Sequence, residues 1–146
     1  MLDRNKVQEI SKGLQSKGID ALLLGPGDDL EYLGGLKTGE CERFKGLFIL
    51  SNGKYFYVTP YLYLEEFEAA FGKDTPAYIW EDKDWFYPTL ARAMDDFDLN
   101  GKQIAVNYGI RAVDAIEIAD RHRVKLVNGW HFLDKMRIIK SSSEVE

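Results

Sequence analysis

The chain has a single cysteine, Cys41, so no internal disulfide can staple it, and a lone thiol fits a reducing compartment. Histidine is scarce as well: His122 and His131 are the only ones, and neither has a partner at metal-ligand spacing. Positive charge is in deficit. The 19 Lys and Arg against 24 Asp and Glu leave a net charge of −5, the wrong sign for a nucleic-acid footprint. Long apolar runs are missing too; the stretches 21–24 and 47–50 are far too short to cross a bilayer. The first residues, Met1 to Lys6, carry charge where a secretory leader places its apolar segment. The expectation is a cytoplasmic protein with neither nucleic acid nor membrane as a partner.

What is present is the material of one globular domain. Of 146 residues, 45% are hydrophobic, 29% charged and 13% aromatic, enough to bury a real core. Val7, Ile10 and Leu14 recur at helical spacing between a capping Asp3 and a stopping Gly18, which predicts a helix over 3–17. The apolar run 20–24 reads as a strand buried on both faces, and 28–33 as a short helical turn. Asn52-Gly53 between the apolar arms 46–51 and 54–59 signals a hairpin. Further on, Leu64, Phe67 and Phe71 mark a helix, 77–80 a weaker strand, and Pro88 the first turn of a helix burying Leu90, Met94 and Phe97. Strands over 102–107 and 124–127, a helix over 111–121 and a last short helix over 130–135 complete the order. The predicted fold is a three-layer α/β sandwich around a mixed sheet of about six strands with one β-hairpin.

Several segments touch on chemistry and fall short of it. Gly25-Pro26-Gly27-Asp28-Asp29 stands between a strand and a helical turn, where phosphate loops sit. Leu30 replaces the third glycine, and two aspartates would repel a phosphate, so a structural turn is the better reading. Asp96, Asp98, Asn100 and Gly101 resemble the first half of a calcium loop, but Asn107 stands where a bidentate glutamate belongs. Both histidines are flanked by residues that suggest surface or helix-end positions. Cys41 lies beside Glu40 and Glu42, and acidic neighbours disfavour a reactive thiolate. No catalytic residue and no metal ligand is assigned. Glu42-Arg43-Phe44 follows the glycine-rich, polar stretch 34–42; Arg43 is either a solvated strand-end residue or a loop-end residue facing another domain or subunit.

The closing residues end in Ser141-Ser-Ser-Glu144-Val-Glu146, where Ser141 and Glu144 form a capping box. A capped first turn without a body is not stable alone, so the chain is expected to be the front part of a longer polypeptide. Residues 1–139 would be its domain, and 140–146 a linker plus the start of the next helix.

Four stretches together resemble the N-terminal domain shared by aminopeptidase P, prolidase and creatinase. They are Gly18-Ile-Asp20-Ala-Leu-Leu-Leu24, Asp29-Leu-Glu-Tyr32-Leu-Gly-Gly35-Leu36, Glu42-Arg43-Phe44 and Leu133-Asp-Lys-Met-Arg137-Ile-Ile-Lys140-Ser141-Ser-Ser-Glu144. The resemblance implies a non-catalytic domain that mediates subunit contacts and limits access to the active site of an Xaa-Pro metallopeptidase. It implies that two divalent metals, manganese or cobalt, are held by two Asp, one His and two Glu downstream of Glu146. Its partners would be its own catalytic domain, a second subunit and, through the parent enzyme, small proline-containing peptides. Arg43 is the residue expected to reach a substrate carboxylate, with Tyr32 and Phe44 shaping the wall around it, on a mobile loop over 34–44. The alternative is an independent small α/β binding or interaction module.

Overall fold

A computed structural model describes residues 2–39, 42–130 and 132–133. Helix α1 (Arg4–Lys17) begins where the Asp3 carboxylate accepts hydrogen bonds from the Asn5 and Lys6 N–H groups, satisfying donors that the helix itself leaves open. It ends at Gly18, whose φ of +68° suits a residue without a Cβ. Then follow β1 (Ala21–Leu24), α2 (Asp28–Gly34), β2 (Gly46–Leu50), β3 (Tyr55–Pro60) and a single 3-10 turn, Tyr61–Tyr63, leading into α3 (Leu64–Phe71). The order closes with β4 (Ala77–Trp80), α4 (Tyr87–Asp96), β5 (Gln103–Val106), α5 (Ala112–His122) and β6 (Lys125–Asn128).

The strands form one six-stranded sheet in the order β4-β3-β2-β1-β5-β6. Only β2 runs against the others, pairing antiparallel with both β1 and β3. Alternate residues of each strand face opposite layers, as the pleat requires. Leu22, Leu24, Leu47, Ile49 and Tyr57 pack under α1, α2 and α3, whereas Ala21, Leu23, Phe48, Phe56 and Val58 pack under α4 and α5. The mixed sheet in a three-layer α/β sandwich is therefore as expected. The hairpin differs in detail. Leu50 N–H bonds Lys54 C=O at 2.8 Å, so Ser51, Asn52 and Gly53 form the loop, with Gly53 at φ +88°. That is the longer loop with its last residue left-handed, in place of a two-residue turn. Phe97, predicted on the buried face of α4, is its half-buried C-terminal cap.

The expected helix over 130–135 lies mostly outside the described residues; within them Phe132 and Leu133 are helical and Leu133 is buried. The expected boundary at 139 and the segment 140–146 also lie outside them. Because five strands run the same way, the C-terminal ends of β1, β3, β4, β5 and β6 and the start of β2 gather on one edge. In open α/β sheets that edge is where ligands and partners meet the fold.

Candidate functional site

At the middle of this edge, Asn107 organises three segments that are distant in sequence. Its side-chain oxygen accepts from Gly25 N–H at 2.8 Å and Gly109 N–H at 3.0 Å, and its amide donates to the buried Asp29 carboxylate at 2.9 Å. The two loops touch backbone to backbone. A Cβ on Gly25 would lie 2.2 Å from the Gly109 carbonyl oxygen, so both positions need glycine. Tyr108 Oη accepts from Asp28 N–H, 3.0 Å away, at the start of α2. The loop that stands where a phosphate cradle would be thus has donors already engaged by protein, in agreement with a structural turn.

Towards the β3–β4 end, Arg43 enters the site from the residues preceding β2. Its guanidinium clasps Asp82 with two parallel hydrogen bonds, Nε to Oδ1 and Nη2 to Oδ2, both 2.9 Å, and approaches Glu42 Oε1 at 3.4 Å. These bonds hold the Asp82 carboxyl below its ordinary range. Arg43 and Asp82 line a cavity of about 450 Å³ together with Pro60, Tyr61, Leu62 and Trp80. Tyr61 and Leu62, on the 3-10 turn, are 66% and 67% exposed. The cavity floor is tied to the core. Trp80 is buried and donates its indole N–H to the Phe44 carbonyl at 3.0 Å.

Of the three residues expected to share this site, Arg43 lines it. Phe44 supports it from beneath: it is 3% exposed and stacks on Phe86 with ring centroids 4.5 Å apart. Tyr32 does not line the cavity; its ring packs in the α1–α2 layer with the Lys6 ammonium 3.7 Å from its centre. Within the stretch 34–44, residues 35–39 and 42–44 form no helix or strand, while Leu36 is buried in the core and Gly34 closes α2 against Phe71. Cys41 and His131 lie outside the described residues.

The other candidates resolve into structural parts. Asp96 accepts from Tyr78 Oη at 2.7 Å and Asp95 from Asn100 Nδ2 at 2.8 Å. Burial, with the Asp96 bond behind it, pushes the Tyr78 hydroxyl up to about 12. Among the described residues no cluster of His, Cys, Asp and Glu is arranged to hold a metal. His122 does end α5, yet it is buried, with Nδ1 2.8 Å from Asn100 Oδ1, and burial pushes its pKa down. Sequence reading missed Asn107, Asp82 and Lys45. Lys45 is 2% exposed, its ammonium 3.5 Å above the Tyr63 ring and bonded to Thr38. Nothing in its local sequence distinguishes it from a solvated strand-end lysine. Asp114 was missed as well; burial in the first turn of α5 raises its carboxyl, with Arg111 opposing.

The comparisons with known proteins agree with this architecture. The profile of the Creatinase/Prolidase N-terminal domain matches residues 6–139. The fold resembles a dipeptidase from Pyrococcus horikoshii OT3 at 24% identity and a TM-score of 0.79, covering 90% of this chain and 36% of that one. It also resembles a proline dipeptidase from Streptococcus pneumoniae TIGR4 at 20% identity and a TM-score of 0.79, covering 92% of this chain and 98% of that one. A third likeness is to the creatinase/prolidase N-terminal domain of an X-Pro dipeptidase from Streptococcus pyogenes, at 16% identity and a TM-score of 0.72, covering 87% of this chain and 95% of that one. The chain spans about a third, 36%, of the length of the Pyrococcus horikoshii dipeptidase. No curated protein matches the sequence. No helix among the described residues is long and apolar enough to cross a membrane.

Proposed function

The chain belongs to the creatinase/prolidase N-terminal domain family, and from that membership we propose that it is the non-catalytic front part of an Xaa-Pro dipeptidase or aminopeptidase P-like metallopeptidase. In that cytoplasmic enzyme it makes subunit contacts and shapes access to the active site. The observation that carries the reading is the Arg43–Asp82 clasp beside exposed Tyr61 and Leu62. Protruding apolar side chains with charges of both signs around them suit a protein contact. A guanidinium at the rim is shaped for a carboxylate, which it grips through two parallel bonds. Asp82 occupies the Nε–Nη2 edge in this chain; in the assembled dimer Arg43 exchanges Asp82 for the terminal carboxylate of a small proline-containing peptide.

Walling the site in this way excludes long substrates and water. The two divalent metals, manganese or cobalt, would be held by ligands in the catalytic part, where they supply the activated water. This chain contributes wall and orientation. The test is Arg43→Ala in the polypeptide encoded by the complete reading frame. KM for an Xaa-Pro dipeptide should rise about tenfold, within the roughly 1–3 kcal/mol range of a charged hydrogen bond, while this chain's thermal midpoint stays put. Unchanged kinetics after correction for folded fraction would make Arg43 a structural strand-end residue, whereas a reading frame with no catalytic part would favour an independent binding module.

A further inference from the structure

The two outermost strands of the sheet are unequally guarded. β6 begins with an exposed lysine, Lys125, of the kind that keeps foreign strands off an edge. β4, on the other side, carries no charge from Ala77 to Trp80. Its parallel register with β3, and the bond from Tyr57 N–H to the Pro76 carbonyl, turn the backbone of Tyr78 inward. Ala77 and Ile79 therefore present their N–H and C=O groups outward, and no partner takes them among the described residues. Both residues are exposed, Ile79 by 37%. An open ladder of this kind fits one sort of molecule, an extended peptide segment that adds a strand.

The ladder is short, so side-chain contacts must select the occupant. A cavity of about 430 Å³ reaches from Ile79 to α4; Trp80, Pro88 and Thr89 wall it, and Glu81, Asp84 and Arg92 carry its charge. Side chains of an added strand alternate between the two faces of the sheet, so every second one enters this cavity. Glu81 and Asp84 are exposed, and among the described residues their carboxylates pair with no cation. Two carboxylates against one guanidinium leave the lining negative, which suits a lysine or arginine on the incoming segment. A second copy of this chain fits poorly. Its β4 offers no cation, and antiparallel pairing about Tyr78 would set Asp82 opposite Asp74 and Lys83 opposite Lys73.

We propose that the free edge of β4 is a strand-addition site for an extended segment of another protein, whose basic side chain lies against Glu81 and Asp84. The site borders the Arg43 cavity at Trp80 and Glu81 and makes no use of Arg43. It stands whether or not a catalytic part follows this chain.

Nuclear magnetic resonance of this chain, titrated with a capped peptide of alternating valine and threonine around one central arginine, tests it. The amides of Ala77 and Ile79 should shift and exchange more slowly with solvent, while those of β6 stay as they are. Methylating every second peptide nitrogen, in each of the two possible phases, should weaken binding at least tenfold in one phase. Glutamate in place of the arginine should weaken it about tenfold, and Glu81→Lys combined with Asp84→Lys should reverse the order of the two peptides. Amides at 77 and 79 that ignore millimolar arginine peptide overturn the proposal, and so does equal binding of both methylated forms; neither result needs a variant to fold. An unreversed order in the folded double variant overturns it as well. Protection at 77 and 79 that grows with the concentration of this chain alone also overturns it, because the occupant is then a second copy.

Discussion

Replacing Asn107 with alanine should be among the most damaging single changes on the edge of the sheet where β1 and β5 end. Asn107 is 5% exposed, and its side chain serves Gly25 N–H, Gly109 N–H and the Asp29 carboxylate. Alanine strands two buried donors and takes one hydrogen bond from a buried carboxylate. Each stranded group costs about 1–3 kcal/mol, and a water entering the small space left recovers part of this, so the expected loss is about 3–5 kcal/mol. Against a total stability of about 5–15 kcal/mol that is a large fraction. At about 2–4 °C per kcal/mol for a domain of this size, the thermal midpoint should fall by about 10 °C. Urea unfolding followed by circular dichroism measures it, as a lower midpoint with an unchanged slope. Tyr108→Phe is the graded control. It removes only the acceptor for the exposed Asp28 N–H, which water can replace, and should cost less than about 0.5 kcal/mol. If Asn107→Ala lies within about 1 kcal/mol of the wild type, or if the two variants lose the same amount, the assignment of Asn107 as the tie between the loops is refuted.

Gly25→Ala should cost about 3 kcal/mol or prevent accumulation of folded protein, because its Cβ would meet the Gly109 backbone at 2.2 Å. Gly18→Ala, at φ +68° in open space, should cost only about 1–2 kcal/mol of left-handed strain; thermal melts of the two variants side by side decide between steric and conformational demands. His122 makes stability depend on pH. Its folded pKa lies below the ordinary value, so the unfolded chain binds the proton more readily. The stability it contributes is complete above about pH 6.5 and is lost as pH falls through the folded value. Wild type should therefore lose more stability between pH 7 and pH 5 than His122→Gln, and parallel pH profiles from urea titrations would contradict the assignment.

Local chemistry in the sequence was enough for the elements and not enough for the site. Asp3 and Gly18 bound α1 as a cap and a stop should, and the apolar run of β1 is buried at every residue. Those signals are legible because each acts within a turn or two of chain. The hairpin loop was placed by Asn52-Gly53, but its length was set by the Leu50–Lys54 pairing across the strands. The clasp between Arg43 and Asp82 spans 39 residues, and the bond from Asn107 to Gly25 spans 82. No periodicity or spacing rule reaches that far. Asn107 itself invited a misleading local comparison as the last position of a failed calcium loop, while its work is done on β1 and α2. Phe44 was legible as apolar, yet only the packing shows that its ring stacks on Phe86 beneath the cavity.

The central claim is that this domain is the non-catalytic front of an Xaa-Pro metallopeptidase, and one paired assay tests it most directly. This chain and the polypeptide encoded by the complete reading frame are each incubated with manganese and an Xaa-Pro dipeptide, and release of proline is followed. The account predicts turnover by the full polypeptide, abolished by a chelator, and none by this chain. Proline release that copurifies with this chain alone, or a complete reading frame whose product is inert toward Xaa-Pro peptides with manganese and with cobalt, would contradict it.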